Sequence, residues 1–319
     1  MIYIKALRDK KNSHLMPFPT IAIVGPTAVG KTNLSILLAK ELNGEIINFD
    51  SMQIYKGFDI GTAKPSKEER SIVPHHLFDI READEPFDAA EFVTIAIRRA
   101  NCIRRRGKVP IFVGGTGFYL RSLEYGLDPA PSRDPALRQW LKNMMKEKGR
   151  NFLWQLLYEL NPKKAQEIHI NDTYRLIRNI EILIASNNAQ KEYDKECLRS
   201  QLFKIGLIRP RKELYEIINK RVDIMIDQGL LDEVKSLLLK GYSPNLKPMR
   251  SIGYKHMVEY LSGSLSWHEA IYQMKRDTRH YAKRQLTWFK SDPTIRWFTP
   301  EELMLNGSSR IWRKINRIN

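Results

Sequence analysis

Eight residues, Gly25-Pro26-Thr27-Ala28-Val29-Gly30-Lys31-Thr32, carry the plainest chemistry in the chain. They fit G-x-x-x-x-G-K-[ST], the phosphate loop. Glycines let the backbone curl around a phosphate. Successive N–H groups and the positive end of the following helix hold the anion. Lys31 adds a point charge, and the Thr32 hydroxyl can reach a magnesium ion. The motif implies that a di- or triphosphate group binds, whatever molecule carries it. A carboxylate is expected close by. Glu45 to Asp50 reads as a strand ending at Asp50, and ligands of open α/β sheets sit beyond the carboxyl ends of strands. A further strand, Val109 to Val113, is informative by omission. A phosphate-loop nucleotidase has a strand ending in an aspartate that holds magnesium. Here the strand runs into Gly114-Gly115-Thr116, so ATP hydrolysis is less well supported than the loop alone implies.

These residues need a scaffold. Thr20 to Val24 reads as a buried strand feeding the loop. Asn33 to Leu42 reads as a helix with Leu34, Leu37, Leu38 and Leu42 on one side. Gly57 to Pro65 is a loop, and Pro74 to Asp79 reads as a loop lying over the site. Its adjacent His75 and His76 point different ways, which suits them poorly to a shared metal. Phe87 to Arg106 is a helix starting near Asp88. Gly126 to Asp134, rich in proline and small residues, reads as a domain boundary. From Pro135 to about Arg199 the pattern is helical, with apolar faces at Leu137, Leu141, Met144 and Met145, then Phe152, Leu156, Leu157 and Leu160, then Tyr174 to Ala185. Residues 202–208 read as a strand returning to the sheet. Leu214 to Gln228 is a helix carrying Arg221, Leu230 to Leu239 another, and Met249 to Tyr254 a loop entering a third. The fold class expected is α/β: a phosphate-loop core with a mainly parallel sheet flanked by helices, formed by 1–125 and 202–319, with an all-helical insertion at 126–201.

Charge points to the partner. The chain has 319 residues, 42% of them hydrophobic, and a net charge of +17. That is enough apolar content for a core and more positive charge than a small-molecule substrate needs; a polyanion, nucleic acid foremost, is implied. The cations cluster. Arg98, Arg99, Arg104, Arg105, Arg106 and Lys108 crowd one segment. Trp267 to about Lys290 reads as a long basic helix, with Arg276, His280 and Arg284 four apart, Lys275, Arg279 and Lys283 likewise, and only Asp277 opposing them. Tyr272, Tyr281, Trp288 and Phe289 are interleaved, which suits backbone contact plus base stacking. Two cysteines, Cys102 and Cys197, make no disulfide framework, and no C-x-x-C is present. No secretory signal or membrane span is visible, so a cytoplasmic setting is expected.

Joined in order, the motifs become specific. Gly25–Thr32, Asp50-Ser51-Met52-Gln53-Ile54-Tyr55, Asp59 to Pro65, Pro74-His75-His76-Leu77, Gly114 to Tyr119, Ser251-Ile252-Gly253-Tyr254 and Lys283-Arg284-Gln285-Leu286-Thr287-Trp288 closely resemble the tRNA dimethylallyltransferase (tRNA isopentenyltransferase) family in its bacterial form. The resemblance spans all but about 15 residues at each end. It implies transfer of a dimethylallyl group from dimethylallyl diphosphate to the exocyclic N6 of an adenine at position 37, beside the anticodon of tRNA. An allylic carbon ionises readily, so catalysis must stabilise departing diphosphate and polarise an amine. Lys31, Thr32 and Mg2+ suit the first task, with Arg221 as a further clamp. Asp50 suits the second as general base, with magnesium ligation its other possible role. Thr116 would orient Asp50 or the leaving oxygen. The resemblance also implies tRNA contacts from Asp50 to Gln53, from Arg138, from Tyr174-Arg175-Leu176-Ile177-Arg178, from Met249-Arg250-Ser251-Ile252-Gly253-Tyr254, and from Lys283 through Phe289 to Lys290. Met52-Gln53 stands where relatives often carry other pairs, leaving open how this segment holds a flipped base. The rival readings are an isopentenyltransferase or kinase acting on free nucleotides, for which the charge and the insertion are wasted, and a nucleic-acid-binding ATPase, which the missing aspartate disfavours. No long apolar seam is left over, so a monomer is expected.

Overall fold

The computed structural model describes residues 20–127, 130–131, 134–186, 197–198 and 202–303. They fall into two compact units, one drawn from Met1–Gly126 and Glu196–Asn319, the other from Leu127–Lys195.

The larger unit is built on six strands. In chain order its elements begin β1 (Thr20–Val24), α1 (Lys31–Glu41), β2 (Gly44–Asn48), α2 (Lys67–Ile72), β3 (His75–His76), α3 (Ala89–Arg105), β4 (Val109–Val113) and α4 (Gly117–Tyr125). After the second unit it resumes with β5 (Leu202–Leu207). The spatial order is β3-β2-β4-β1-β5-β6, where β6 is Arg296–Phe298, and every pairing is parallel. β1 lies inside the sheet, and Ile21, Ala22, Ile23 and Val24 are buried, as a strand covered on both faces requires. The chain fills one side of β1 first and the other side later. The carboxyl end of β1 is therefore where strand order reverses, the place where such sheets bind ligands.

Several expected boundaries move. Strand β2 stops at Asn48, two residues before Asp50. The Asn48 side chain accepts the Asp50 N–H at 2.9 Å and donates to the Leu77 carbonyl at 3.0 Å, which turns the chain out of the sheet. His75-His76, read as part of a loop, forms the edge strand β3, pairing with Ile46 and Ile47. Helix α1 starts at Lys31, directly after Gly30, rather than at Asn33. Helix α2, capped by a reciprocal Ser66–Glu69 pair, and the three-residue β6 were missed; both are too short for a periodic signal.

The second unit is all-helical in its described residues: α5 (Pro135–Lys148), α6 (Arg150–Leu160), α7 (Pro162–Gln166) and α8 (Thr173–Ser186). Leu141, Leu153, Leu157, Ala165, Leu176, Ile177 and Ile180 form its core. Leu160, placed on an apolar face, is exposed, and Leu153 takes that role two turns earlier. The helical pattern expected up to Arg199 runs past Ser186 into residues outside the described set. The larger unit closes with α9 (Arg211–Asp227), α10 (Leu230–Leu239), α11 (Tyr254–Leu261) and α12 (Trp267–Lys290). No helix among the described residues is long and apolar enough to cross a membrane.

Candidate active site

The carboxyl ends of β1, β2 and β4 deliver three loops to one place. The first is Gly25–Gly30. Gly25 has φ +140°, and a Cβ there would stand 2.7 Å from the Leu207 carbonyl oxygen, so only glycine passes so close to β5. Lys31, the first residue of α1, folds back and donates to the Gly25 and Pro26 carbonyls at 3.0 and 2.7 Å. The second loop carries Asp50. Its Oδ1 accepts the Met52 N–H at 2.9 Å. The third is Gly114-Gly115-Thr116, whose threonine Oγ1 accepts the Ser51 N–H at 3.0 Å. Thr116 thus holds the segment that carries Asp50, acting through the backbone.

These loops and helices α9 and α12 enclose a cavity of about 610 Å³. Lys31, Thr32, Asp50 to Gln53 and Arg221 line it, as do Arg250, Ser251, Ile252, Tyr281 and Gln285. Burial dominates its electrostatics. It brings the Lys31 ammonium down to about 7, against Asp50, which raises it, and with Arg221, which lowers it. It pushes the Asp50 carboxyl up, opposed by the Met52 N–H and the Lys31 charge. Arg221 is pushed down by burial and makes no ion pair among the described residues; its guanidinium stays charged. Three basic side chains, Lys31, Arg221 and Arg250, and the Asp50 carboxylate therefore face one cavity. That arrangement can hold a polyphosphate and accept a proton beside it.

Other sequence candidates are placed differently. Gln285 is buried on the inner side of α12, where its Oε1 accepts the Thr27 N–H at 2.8 Å and its Nε2 donates to the Gly115 carbonyl at 2.9 Å. It clamps the phosphate loop to the 114–116 loop, so its side chain is not on the outer surface. Gln53 is tied to the Thr62 and Ala63 carbonyls at 3.0 and 3.1 Å. Met249, Tyr254 and Phe289 are buried. The 59–61 turn is held by Glu233 of α10, which accepts three backbone N–H groups and the Tyr254 hydroxyl. His256 accepts the Gly253 N–H through Nδ1 and meets Asp277 through Nε2 at 3.2 Å, so α11 and α12 fix the turn at Gly253.

The basic helix sorts into two stretches. Lys275 pairs with Asp223, Arg276 with Asp277, and Arg279 bonds Asn219. Lys283, Arg284 and Lys290 are exposed and make no ion pair among the described residues, with Trp288 beside them. Of the interleaved aromatics, Phe289 packs inward and Tyr281 faces the cavity. Of the other basic cluster, Arg106 and Lys108 are engaged by buried Glu45, which also holds His76 at 2.7 Å. In the helical unit Arg138 makes a bidentate pair with buried Glu181, both bonds 2.7 Å, and Arg178 bonds Glu181 and the Pro131 carbonyl. Leu176 and Ile177 lie in that unit's core, while Tyr174 and Arg175 are exposed.

A profile described as IPP transferase matches residues 53–292. A tRNA dimethylallyltransferase of Halothermothrix orenii is 44% identical, covering 99% of this chain and 98% of that protein. One from Alkaliphilus oremlandii is 48% identical over 87% of this chain and 90% of that protein. Among solved structures, the tRNA isopentenylpyrophosphate transferase of Bacillus halodurans superposes with a TM-score of 0.65 at 42% identity, covering 88% and 89% of the two chains. A eukaryotic dimethylallyltransferase acting on tRNA gives 0.73 at 30% identity, covering 92% and 77%.

Proposed function

We propose that this chain, which belongs to the IPP transferase family, transfers a dimethylallyl group from dimethylallyl diphosphate to N6 of an adenosine in tRNA. The observation that carries the reading is that Asp50 and Lys31 line one cavity: a candidate base and a candidate diphosphate holder, close enough for each charge to act on the other. The carbon–oxygen bond of the donor breaks as the N6–carbon bond forms. The electron pair leaves on diphosphate, which the phosphate-loop N–H groups, Lys31 and Arg221 stabilise. The N6 proton passes to Asp50. Thr116 keeps the Asp50 segment in place through Ser51.

Magnesium fits this donor set. Among the described residues no group of three His, Cys, Asp or Glu could cage a metal. Mg2+ characteristically takes few protein ligands and uses substrate phosphates and water instead. Thr32 would hold it, and it would neutralise charge on the diphosphate. The acceptor would be adenosine 37 of an anticodon stem-loop, with Lys283, Arg284, Lys290 and Arg250 as its contacts in the larger unit. Within the helical unit, Leu127–Lys195, Tyr174 and Arg175 are the exposed candidates for RNA contact. In this reading the enzyme acts as a cytoplasmic monomer. Mass spectrometry of bulk tRNA from cells with and without the protein tests the reading. Isopentenyl-adenosine should disappear with the protein; its persistence would overturn the assignment.

A further inference from the structure

Tyr281 and Gln285 stand one helical turn apart on the inner side of α12, both on the wall of the cavity that holds Asp50. The Gln285 amide has a fixed orientation, because its oxygen takes an N–H and its nitrogen gives to a carbonyl. The Tyr281 hydroxyl lies on the same cavity wall, one turn before that fixed amide. A phenol can both donate and accept, so its proton is available to a ligand in the cavity. Burial and the Asp50 charge both keep that phenol protonated. Asp50 lies close: from the position a Cβ on Gly115 would take, the Gln285 amide is in collision and Asp50 Oδ2 is 4.0 Å away. Oδ1 is occupied by the Met52 N–H, which leaves Oδ2 for a substrate. The wall of one cavity thus presents a carboxylate oxygen that accepts and a phenol that can donate.

An adenine's Watson–Crick edge carries the complementary pair, the N6 amine that donates and ring nitrogen N1 that accepts. Flipped bases are read along this edge. We propose that Tyr281 is a substrate-reading residue that donates a hydrogen bond to N1 of the acceptor adenine while Asp50 takes the N6 proton. This rests on the reading of Asp50 as base. The pair would select adenine over guanine, whose N1 carries a hydrogen and whose exocyclic oxygen would meet the carboxylate.

The test is a cycle on synthetic anticodon stem-loop RNA. Single-turnover transfer is measured for the wild type and Tyr281→Phe, on RNA with adenine or 1-deazaadenine at the acceptor position. Losing one hydrogen bond should slow transfer about 10-fold. Tyr281→Phe should lose that factor on adenine, the wild type should lose it on 1-deazaadenine, and the variant should lose no more on 1-deazaadenine. Multiplicative losses, or no loss in the variant, would overturn the proposal. So would a variant defect confined to RNA affinity, which would make Tyr281 a packing or stacking surface. Asp50→Asn is run in parallel on adenine. If it remains active, the base reading fails on its own, whatever the cycle shows.

Discussion

The Thr116 hydroxyl oxygen accepts the Ser51 N–H at 3.0 Å, which makes a residue after β4 the support for the loop after β2. Thr116→Val keeps the shape and removes the acceptor, leaving a partly buried N–H unpaired. The cost is on the order of 1–3 kcal/mol, taken from the geometry of Asp50 rather than from phosphate contacts. Turnover should fall about 10-fold while donor affinity stays within about twofold. Stopped-flow transfer and donor titration separate the two. A loss of donor affinity alone would place Thr116 on the leaving group instead.

Lys31 makes donor binding proton-linked. Its ammonium sits at about 7 because burial outweighs the Asp50 charge. A bound diphosphate favours the charged form, so protons are taken up on binding once the pH exceeds about 7. Donor affinity should therefore fall as pH rises through that value. Calorimetry in buffers of different ionisation enthalpy reads the uptake directly. Lys31→Ala should abolish it and slow transfer roughly 10- to 150-fold, the worth of one hydrogen bond to a charged group.

The phosphate loop, β1, α12 and the placing of Asp50 beside Lys31 were legible in the chain because each follows from a local rule: a spacing, a buried run, a periodicity, or the switch-point geometry of parallel sheets. The role of Gln285 was not. Its bonds reach Thr27, 258 residues away, and nothing local to Lys283–Lys290 distinguishes an inward glutamine from an outward one. Helical periodicity gave the clue for Tyr281, since 281, 285 and 289 share one face, but the dominance of lysine and arginine around them suggested an outer surface. The partner of Arg138 was hidden for a related reason. Glu181 lies on α8, one turn after Arg178, and only packing of the helical unit brings Arg138 to it.

That pairing changes what Arg138 should do when removed. Glu181 is almost fully buried, and Arg138→Ala would leave its carboxylate with only the longer bond from Arg178 at 3.3 Å. Breaking a buried pair from one side costs about 3–5 kcal/mol. The helical unit should melt earlier, seen by circular dichroism or hydrogen exchange confined to α5 and α8. Replacing both residues with leucine should recover much of the loss. A variant of wild-type stability with weakened tRNA binding would return Arg138 to the RNA surface.

The exposed end of α12 should carry the salt-dependent part of RNA binding. Lys283→Ala with Arg284→Ala removes two cations free of ion pairs among the described residues. The slope of log affinity against log salt should flatten by about one to two. Binding of dimethylallyl diphosphate should hold, because neither side chain lines the cavity. An unchanged slope would mean that this face does not meet RNA.

Asp50 admits a sharper test, because its two candidate roles respond oppositely to metal. As base, its carboxylate must reach N6 at about 3 Å, directly or through one water. Asp50→Asn keeps the shape and the acceptor for the Met52 N–H, yet cannot take the proton. General base catalysis is worth about 100- to 10,000-fold, so single-turnover transfer should fall by at least about 100-fold with little change in tRNA affinity. The pH dependence supplies a second reading. Burial raises the Asp50 carboxyl against the pull of Lys31, Lys247 and two backbone N–H groups. The acid limb of the wild-type rate profile should consequently sit above the ordinary carboxylate range and vanish in the variant. A magnesium-ligand role predicts instead that diphosphate binding weakens and that raised magnesium restores the rate. Transfer measured across a magnesium titration distinguishes them, and recovery to near the wild-type rate would move Asp50 from the proton to the metal.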